Sequence, residues 1–362
     1  TANDSLINSY KYLPNTNKEL WVYGLDGNDK ITVQGDRSKI KIKLIGGRDN
    51  DTYTIDTKNK VKVFDYHSEE NTLKNTTNAK VILKDQYALN QYDFRKVPLN
   101  LLAVLPDVGY NRDNGVLLGL NAIYTVNKFN QNPYSQKHQF RIRYSFATSG
   151  VMAAYNGSFK DYSNTGFWVV EALATTNNFT RNFFGKTNFE KYDKELFKDN
   201  YYRVRTSEFE FKPGYEWKGR NGSSFLIGAA YESVKIEETY NRLIDEQLLT
   251  GLFDTYKRTN YLGGRLKYQF ENYDDTQEPT IGFGFSLLYG NRFFTDDLNK
   301  NHQYIKSKLN FVVPLSNNKK LTWSSTYLLE TVFGNQYHFY QSASIGANNG
   351  MRGFRQYRFI GN

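Results

Sequence analysis

From about residue 100 to residue 335, apolar side chains recur at every second position, and this leaves the chain few folds to choose from. Between Glu208 and Lys218, Phe209, Phe211, Tyr215 and Trp217 alternate with Glu208, Glu210, Lys212, Glu216 and Lys218. Leu262, Leu266, Tyr268 and Phe270 oppose Arg265, Lys267, Gln269 and Glu271. The runs Ile281-Phe283-Phe285-Leu287-Tyr289 and Ile305-Ser307-Leu309-Phe311-Val313 repeat the pattern. Successive side chains of a strand point to opposite faces, so each segment has one apolar and one polar face. Eleven such segments follow one another, near 100–112, 115–128, 137–149, 151–162, 166–178, 201–218, 223–236, 258–273, 280–295, 302–315 and 321–335.

A soluble sandwich would turn its polar face to bulk water, whereas a membrane barrel turns it to the lumen and its aromatic face to lipid. Composition favours the barrel. Aromatic residues make up 16% of the 362 residues, with 29 Tyr and 26 Phe, while hydrophobic residues reach only 39%. No apolar run approaches the roughly 18 residues that a spanning helix needs. The connections alternate in length: short links such as 219–222 and 316–320 follow even-numbered strands, and long ones at 177–200 and 237–257 follow odd-numbered strands. That asymmetry is expected of an outer-membrane barrel, and it sets the first strand running outward from the periplasm. The stretch 242–255, with Leu243, Leu248, Leu249 and Phe253, reads as a short amphipathic helix packing its own loop.

Residues 1–95 differ. They hold short β runs rich in Lys, Asp and Asn, at 39–45, 52–57, 61–66 and 80–84, and read as a small β-rich periplasmic connector. Residues 96–362 then form the barrel part. The expected fold class is all-β: a transmembrane antiparallel β-barrel preceded by a small β-rich domain.

Charge and cysteine usage narrow the partners. The net charge of +10 arises from Lys and Arg interleaved with Asp and Glu, with no run of five like charges, so a nucleic-acid stripe is not expected. Outer-membrane lipids, and other outer-membrane or periplasmic proteins, are the expected partners. The chain has no cysteine, which excludes disulfides and thiolate metal sites. Residue 1 is not a start methionine and no signal-peptide pattern follows it, so either a signal peptide was removed or the chain begins inside a longer protein.

Two segments of the first domain align at a spacing of 22: Tyr23-Gly-Leu-Asp-Gly-Asn-Asp-Lys-Ile31 and Ile45-Gly-Gly-Arg-Asp-Asn-Asp-Thr-Tyr53. Both resemble the glycine- and aspartate-rich nonapeptide that binds calcium in parallel β-rolls, with Asp26, Asp29, Asp49 and Asp51 as candidate ligands. In that repeat successive turns lie nine residues apart and share each ion, a ladder that two copies 22 apart are not expected to form. The other reading is two turns using Gly, Asn and Asp for their tolerance of positive φ. No nucleophile constellation, Walker loop or dinucleotide loop is visible. His67, His138, His302 and His338 show no metal-ligand spacing. No catalytic constellation lies in this chain.

The final segment, Gly346-Ala-Asn-Asn-Gly-Met-Arg-Gly-Phe-Arg-Gln-Tyr-Arg-Phe359, resembles the sixth extracellular loop of the bacterial surface antigen superfamily, the group of BamA- and TamA-type barrels. Arg352, Gly353 and Phe354 match its Val/Ile-Arg-Gly-Phe/Tyr motif, with Met351 in the Val/Ile place. Arg181-Asn-Phe-Phe-Gly-Lys-Thr-Asn188 resembles a Phe/Tyr-Gly-Gly-Asn element of the same barrels. The resemblance implies a loop folded into the lumen, with Arg352 paired to an acid on a later strand, Gly353 allowing the tight turn and Phe354 packing the tip. It also implies sixteen strands, of which about eleven are read here, so the chain is expected to be a fragment; an open sheet in lipid costs several kcal/mol per unpaired backbone group. Non-enzymatic insertion or translocation of proteins or lipids is the implied function. The first domain lacks the alternating strands and helices of the best-known members. Some members instead join a phosphoesterase or patatin-type lipase to such a barrel, and a hydrolase N-terminal to Thr1 is the alternative; a passive porin is the third.

Overall fold

The structure, a computed structural model, describes residues 8–36, 38–90, 92–94, 99–129, 133–161, 166–185, 192–198, 200–219, 221–248, 256–275, 277–334, 337–347 and 349–361. The chain divides into two compact units, Thr1–Pro98 and Leu99–Asn362. The junction Asp93 to Pro98 lies outside the described residues from position 95.

The first unit is a coil of two parallel sheets. Strands β1 (Glu19–Asp26), β3 (Lys41–Arg48), β5 (Val61–Asp65) and β7 (Ala79–Leu83) form one sheet. Strands β2 (Lys30–Gly35), β4 (Thr52–Thr57) and β6 (Thr72–Lys74) form the other. Parallel neighbours need a crossover between them, and here the crossover is itself a strand of the opposite sheet. Leu44, Tyr53, Ile55, Val61 and Val63 fill the space between the sheets. Alternation puts these β-branched and aromatic residues inward and lysines such as Lys41, Lys60 and Lys62 outward. The expected obstacle to stacking is corrected. Glu19 pairs with Lys41 and Lys30 with Thr52, so a separation of 22 residues is one full turn of the coil, and the two glycine–aspartate segments lie directly over one another.

The second unit is one antiparallel sheet. Its path runs β8 (Leu101–Asn111), β9 (Gly115–Val126), β10 (Gln136–Ser145), β11 (Gly150–Lys160), β12 (Gly166–Thr175), β14 (Arg203–Lys218), β15 (Ser223–Ile236), β16 (Thr259–Tyr273), β17 (Gly282–Phe294), β18 (Asp297–Pro314) and β19 (Thr322–Phe333). These are the eleven strands of the alternating pattern. Two details differ from the reading by periodicity. A short strand, β13 (Phe179–Asn182), pairs with β14 inside the long link after β12. Strand β18 starts earlier than expected because a register shift at Phe293/Phe294 lets Asp297 keep pairing with β17.

The outer face carries the apolar residues. Phe140, Ile142, Trp168, Leu262 and Trp323 are each at least half exposed there, which is the band a hydrocarbon phase would cover. No described helix is long and apolar enough to cross a membrane. Among the described residues, β8 and β19 are the two ends of this sheet and do not pair with each other.

Candidate functional site

The inner face of the sheet is charged and largely paired. Arg265 on β16 donates to Glu171 on β12 at 2.9 Å and to the Lys212 carbonyl on β14 at 2.9 Å. Those strands are three steps apart, about 14 Å in a flat sheet, so a contact of this length requires the sheet to curl around its polar face. Arg292, 1% exposed, binds Glu232 at 2.5 Å and Tyr304 Oη at 3.0 Å. Arg143 grips Asp107 with two parallel bonds of 2.6 and 2.8 Å. Lys212 binds Glu210 at 2.6 Å. A guanidinium suits such a place because it stays charged and presents a rigid fork to a carboxylate.

At the end of the sheet that carries the links after β8, β12, β15 and β19, loops build a second core. Phe183, Phe184, Tyr202, Val204, Ile236, Leu243 and Ile244 are buried together, with Tyr201, Tyr256, Phe339, Tyr340 and Ile360 packed against them. Leu243 and Ile244 come from the helix Leu243–Leu248, so the amphipathic stretch packs the loops through these two residues; the Leu248 side chain, Leu249 and Phe253 lie outside what the structure describes. One polar anchor runs through this core. Arg181 on β13 binds both oxygens of Glu208 at 2.8 and 2.6 Å, donates to the Tyr340 carbonyl at 3.2 Å and stacks over Tyr357. Arg181 begins the second segment read from the resemblance; its end, Lys186 to Asn188, lies outside the described residues.

The tail closes as a hairpin, with β20 (Ala343–Ile345) paired to β21 (Phe359–Gly361). Within it, Phe354 N–H donates to the Met351 carbonyl at 3.1 Å, a tight turn that presents Arg352, Gly353 and Phe354 outward. Phe354 meets Phe359 edge-on at 5.1 Å. A methyl at Gly353 would meet nothing within 4 Å. Arg352 is exposed, and among the described residues no carboxylate pairs with it. The arginine of this segment that reaches an acid is Arg355, which donates to Asp113 Oδ1 at 3.0 Å in the turn between β8 and β9. Asp113 is 5% exposed, and its other oxygen accepts from Asn182 Nδ2 at 2.6 Å. Asn182 in turn donates to the Gln356 carbonyl at 3.3 Å. Sequence reading missed Asp113, Asn182 and Arg355. The signal available was the spacing of Arg352, Arg355 and Arg358 by three, which offers three candidate arginines without choosing among them.

In the first unit the four candidate calcium ligands divide by role. Asp49 Oδ2 accepts from Gly27 N–H at 3.0 Å, and Asp51 Oδ1 accepts from Asp29 N–H at 2.8 Å, so each coil is tied to the previous one. Asn71 Oδ1 continues the ladder by accepting from Asp51 N–H at 2.7 Å. Asp29 Oδ2 is buried without a hydrogen-bond partner, and burial raises its pKa. Asp26 is exposed at the strand end. Behind them, Tyr53 Oη donates to Asp65 Oδ2 at 2.6 Å and lies 3.4 Å from Asp51 Oδ2. Burial pushes Asp51 up to about 6 and raises Asp65 as well. Gly46 is required beside them, since a methyl there would run into Asp51, Tyr53 and Asp65. Among the described residues, no three His, Asp or Glu side chains are arranged to hold a metal ion.

An antiparallel sheet curled about a paired ionic interior, apolar outside and plugged by its own loops, is the fold of an outer-membrane β-barrel. No protein-family model matches the sequence and no curated protein is similar to it. The structure of BamA from Haemophilus ducreyi lacking POTRA domains 1-3 is similar with a TM-score of 0.53 and 13% identity, over 78% of this chain and 49% of that one. OccK8 (OprE) from Pseudomonas aeruginosa is a weaker likeness, with a TM-score of 0.30 and 14% identity over 63% of this chain and 58% of that one. The chain thus spans about half the length of the BamA structure it matches, and the likeness is one of fold.

Proposed function

We propose that this barrel acts in the insertion or translocation of proteins or lipids at the outer membrane, with the coil of residues 1–95 on the periplasmic side. The observation that carries this reading is the state of β8. It is the end strand of the sheet, paired along its whole length with β9, and Pro106 in its middle, which by register faces the free edge, leaves that edge one amide donor short. A free edge with one donor fewer makes one bond fewer to any strand laid along it, and each unmade bond is one that need not be broken in lipid when the wall parts there. Meanwhile the tail is pinned to the turn after β8 through Arg355 and Asp113, which keeps the loops in place while the wall moves. The test is the initial rate at which a client barrel folds into liposomes containing the protein. A rate no higher than with an unrelated barrel of equal size would sink the reading.

One observation favours a second reading, in which the barrel anchors a phosphoesterase or lipase joined before Thr1. The first unit is a parallel two-sheet coil whose one described α-helix is Tyr87–Asn90, an architecture suited to a connector. The encoded sequence upstream distinguishes the two: a metal-ligating Asp/His/Asn set or a Gly-x-Ser-x-Gly favours the anchor, and a signal peptide directly before Thr1 removes it.

A further inference from the structure

The inner wall and the underside of the tail hairpin border a half-open cavity of about 710 Å³ lined by both cationic and apolar side chains. Its floor is the polar face of β16, β17 and β18. Lys267 pairs across with Leu288, and Leu288 with Lys306, while Lys308 lies two residues further along β18, opposite Ser286. Three ammonium groups therefore share a patch about two strand spacings wide. The one carboxylate lining the cavity, Glu330, is taken by Lys306 at 2.5 Å. Three positive charges against one negative leave two uncompensated, and among the described residues neither Lys267 nor Lys308 has an ion-pair partner. This contrasts with the rest of the inner wall, where Arg265, Arg292 and Arg143 each hold a carboxylate.

Apolar surface lies beside these cations. Ile345 and Met351 of the tail line the cavity at 49% and 37% exposure, and Leu328 on β19, paired across from Lys308 on the same inner face, adds to them at 53%. Uncovered apolar surface beside uncompensated cations suits neither water nor a protein side chain of one kind. It suits a molecule with a hydrocarbon chain and an anionic head. The volume lies within the range of ligand-sized pockets, about 300–1,000 Å³.

We infer that this cavity binds a single-chain anionic amphiphile, with its carboxylate or phosphate head on Lys267 and Lys308 and its chain against Leu328, Ile345 and Met351. The inference stands apart from the proposed insertion role, since a passive barrel could hold the same ligand. It is tested by native mass spectrometry of the full chain released from a neutral detergent, with palmitate, dodecyl phosphate, palmitic acid methyl ester and inorganic phosphate as separate probes. The expected result is one saturable adduct with palmitate, dodecyl phosphate or both, at least ten-fold weaker in Lys267→Gln/Lys308→Gln and retained in Lys267→Arg/Lys308→Arg. Lys218→Gln, on the inner face of β14 away from the cavity, leaves it unchanged. Palmitate alone or dodecyl phosphate alone would identify the head group preferred. The inference is overturned if neither amphiphile gives a saturable adduct, if the methyl ester binds as well as the acid, if inorganic phosphate binds as well as dodecyl phosphate, or if the double Gln variant, folded by its heat-modifiable mobility, binds like the parent.

Discussion

Arg355 Nη1 lies 3.0 Å from Asp113 Oδ1 across 242 positions of sequence, joining the tail that follows β19 to the turn that follows β8. These are the two ends of the sheet path, so one ion pair reports that the wall has curled far enough to bring its first turn to its last loop. Removing Arg355 leaves the almost fully buried Asp113 with Asn182 but no paired cation. Arg355→Ala is expected to cost about 1.5–3 kcal/mol, the range for a lost hydrogen bond to a charged group. It should also free the tail to protease at a concentration that leaves the parent intact. Arg352→Ala, at an exposed position, is expected to change neither, and the reverse ranking would show that the tail is held differently.

Gly353 offers a second contrast. A methyl there meets open space, so Gly353→Ala should assemble with unchanged heat-modifiable mobility. Gly46→Ala is expected to destabilise the coil by about 1–3 kcal/mol, because its methyl would displace the Asp51 and Asp65 carboxylates and the Tyr53 hydroxyl in a packed interior.

The buried acids of the coil set its pH dependence. Asp51 is raised from 3.8 to about 6, first by burial and further by the neighbouring Asp65 and Asp29. A raised folded-state pKa means that the folded coil binds the proton more tightly than the unfolded chain. Its contribution is therefore fully present below about pH 4 and is lost as pH rises through about 6. Hydrogen exchange of β3 and β5 amides, corrected for intrinsic rates, should show more protection at pH 5 than at pH 8. Asp51→Asn should flatten the difference, and a parent profile flat from pH 4 to 8 would refute it.

Arg292 is the most enclosed cation of the inner wall, paired with Glu232 and Tyr304. Arg292→Leu should leave Glu232 with only the longer contact to Lys212 at 3.8 Å and cost about 3–5 kcal/mol. Arg292→Leu/Glu232→Leu should recover much of that loss. Midpoints of urea-driven unfolding in lipid vesicles measure both, and a double variant no better than the single would count against the pairing.

Much of the architecture was legible from period alone. The strands from β14 to β18 fall where apolar and polar residues alternate, because the contrast between the two faces of a strand is written locally, residue by residue. β13 escaped because a run as short as Phe179–Asn182 gives no measurable period. The coil was half legible. The spacing of 22 was visible, but the Gly-Asp turns reverse the chain so that one repeat contributes two strands, one to each sheet. That made 22 a stacking distance where it reads as an obstacle.

What the sequence determined by itself was which side chains face lipid and which face inward, since alternation needs no partner to be meaningful. Which inward charge meets which was decided only by tertiary structure. Arg352, Arg355 and Arg358 are indistinguishable in a string of letters. The backbone between β20 and β21, with Gly346 at φ 154° and Tyr357 at φ 59°, aims one of them at Asp113. Ion pairs are chosen by distance in a curled wall, and that distance exists only after strands far apart in sequence have come together.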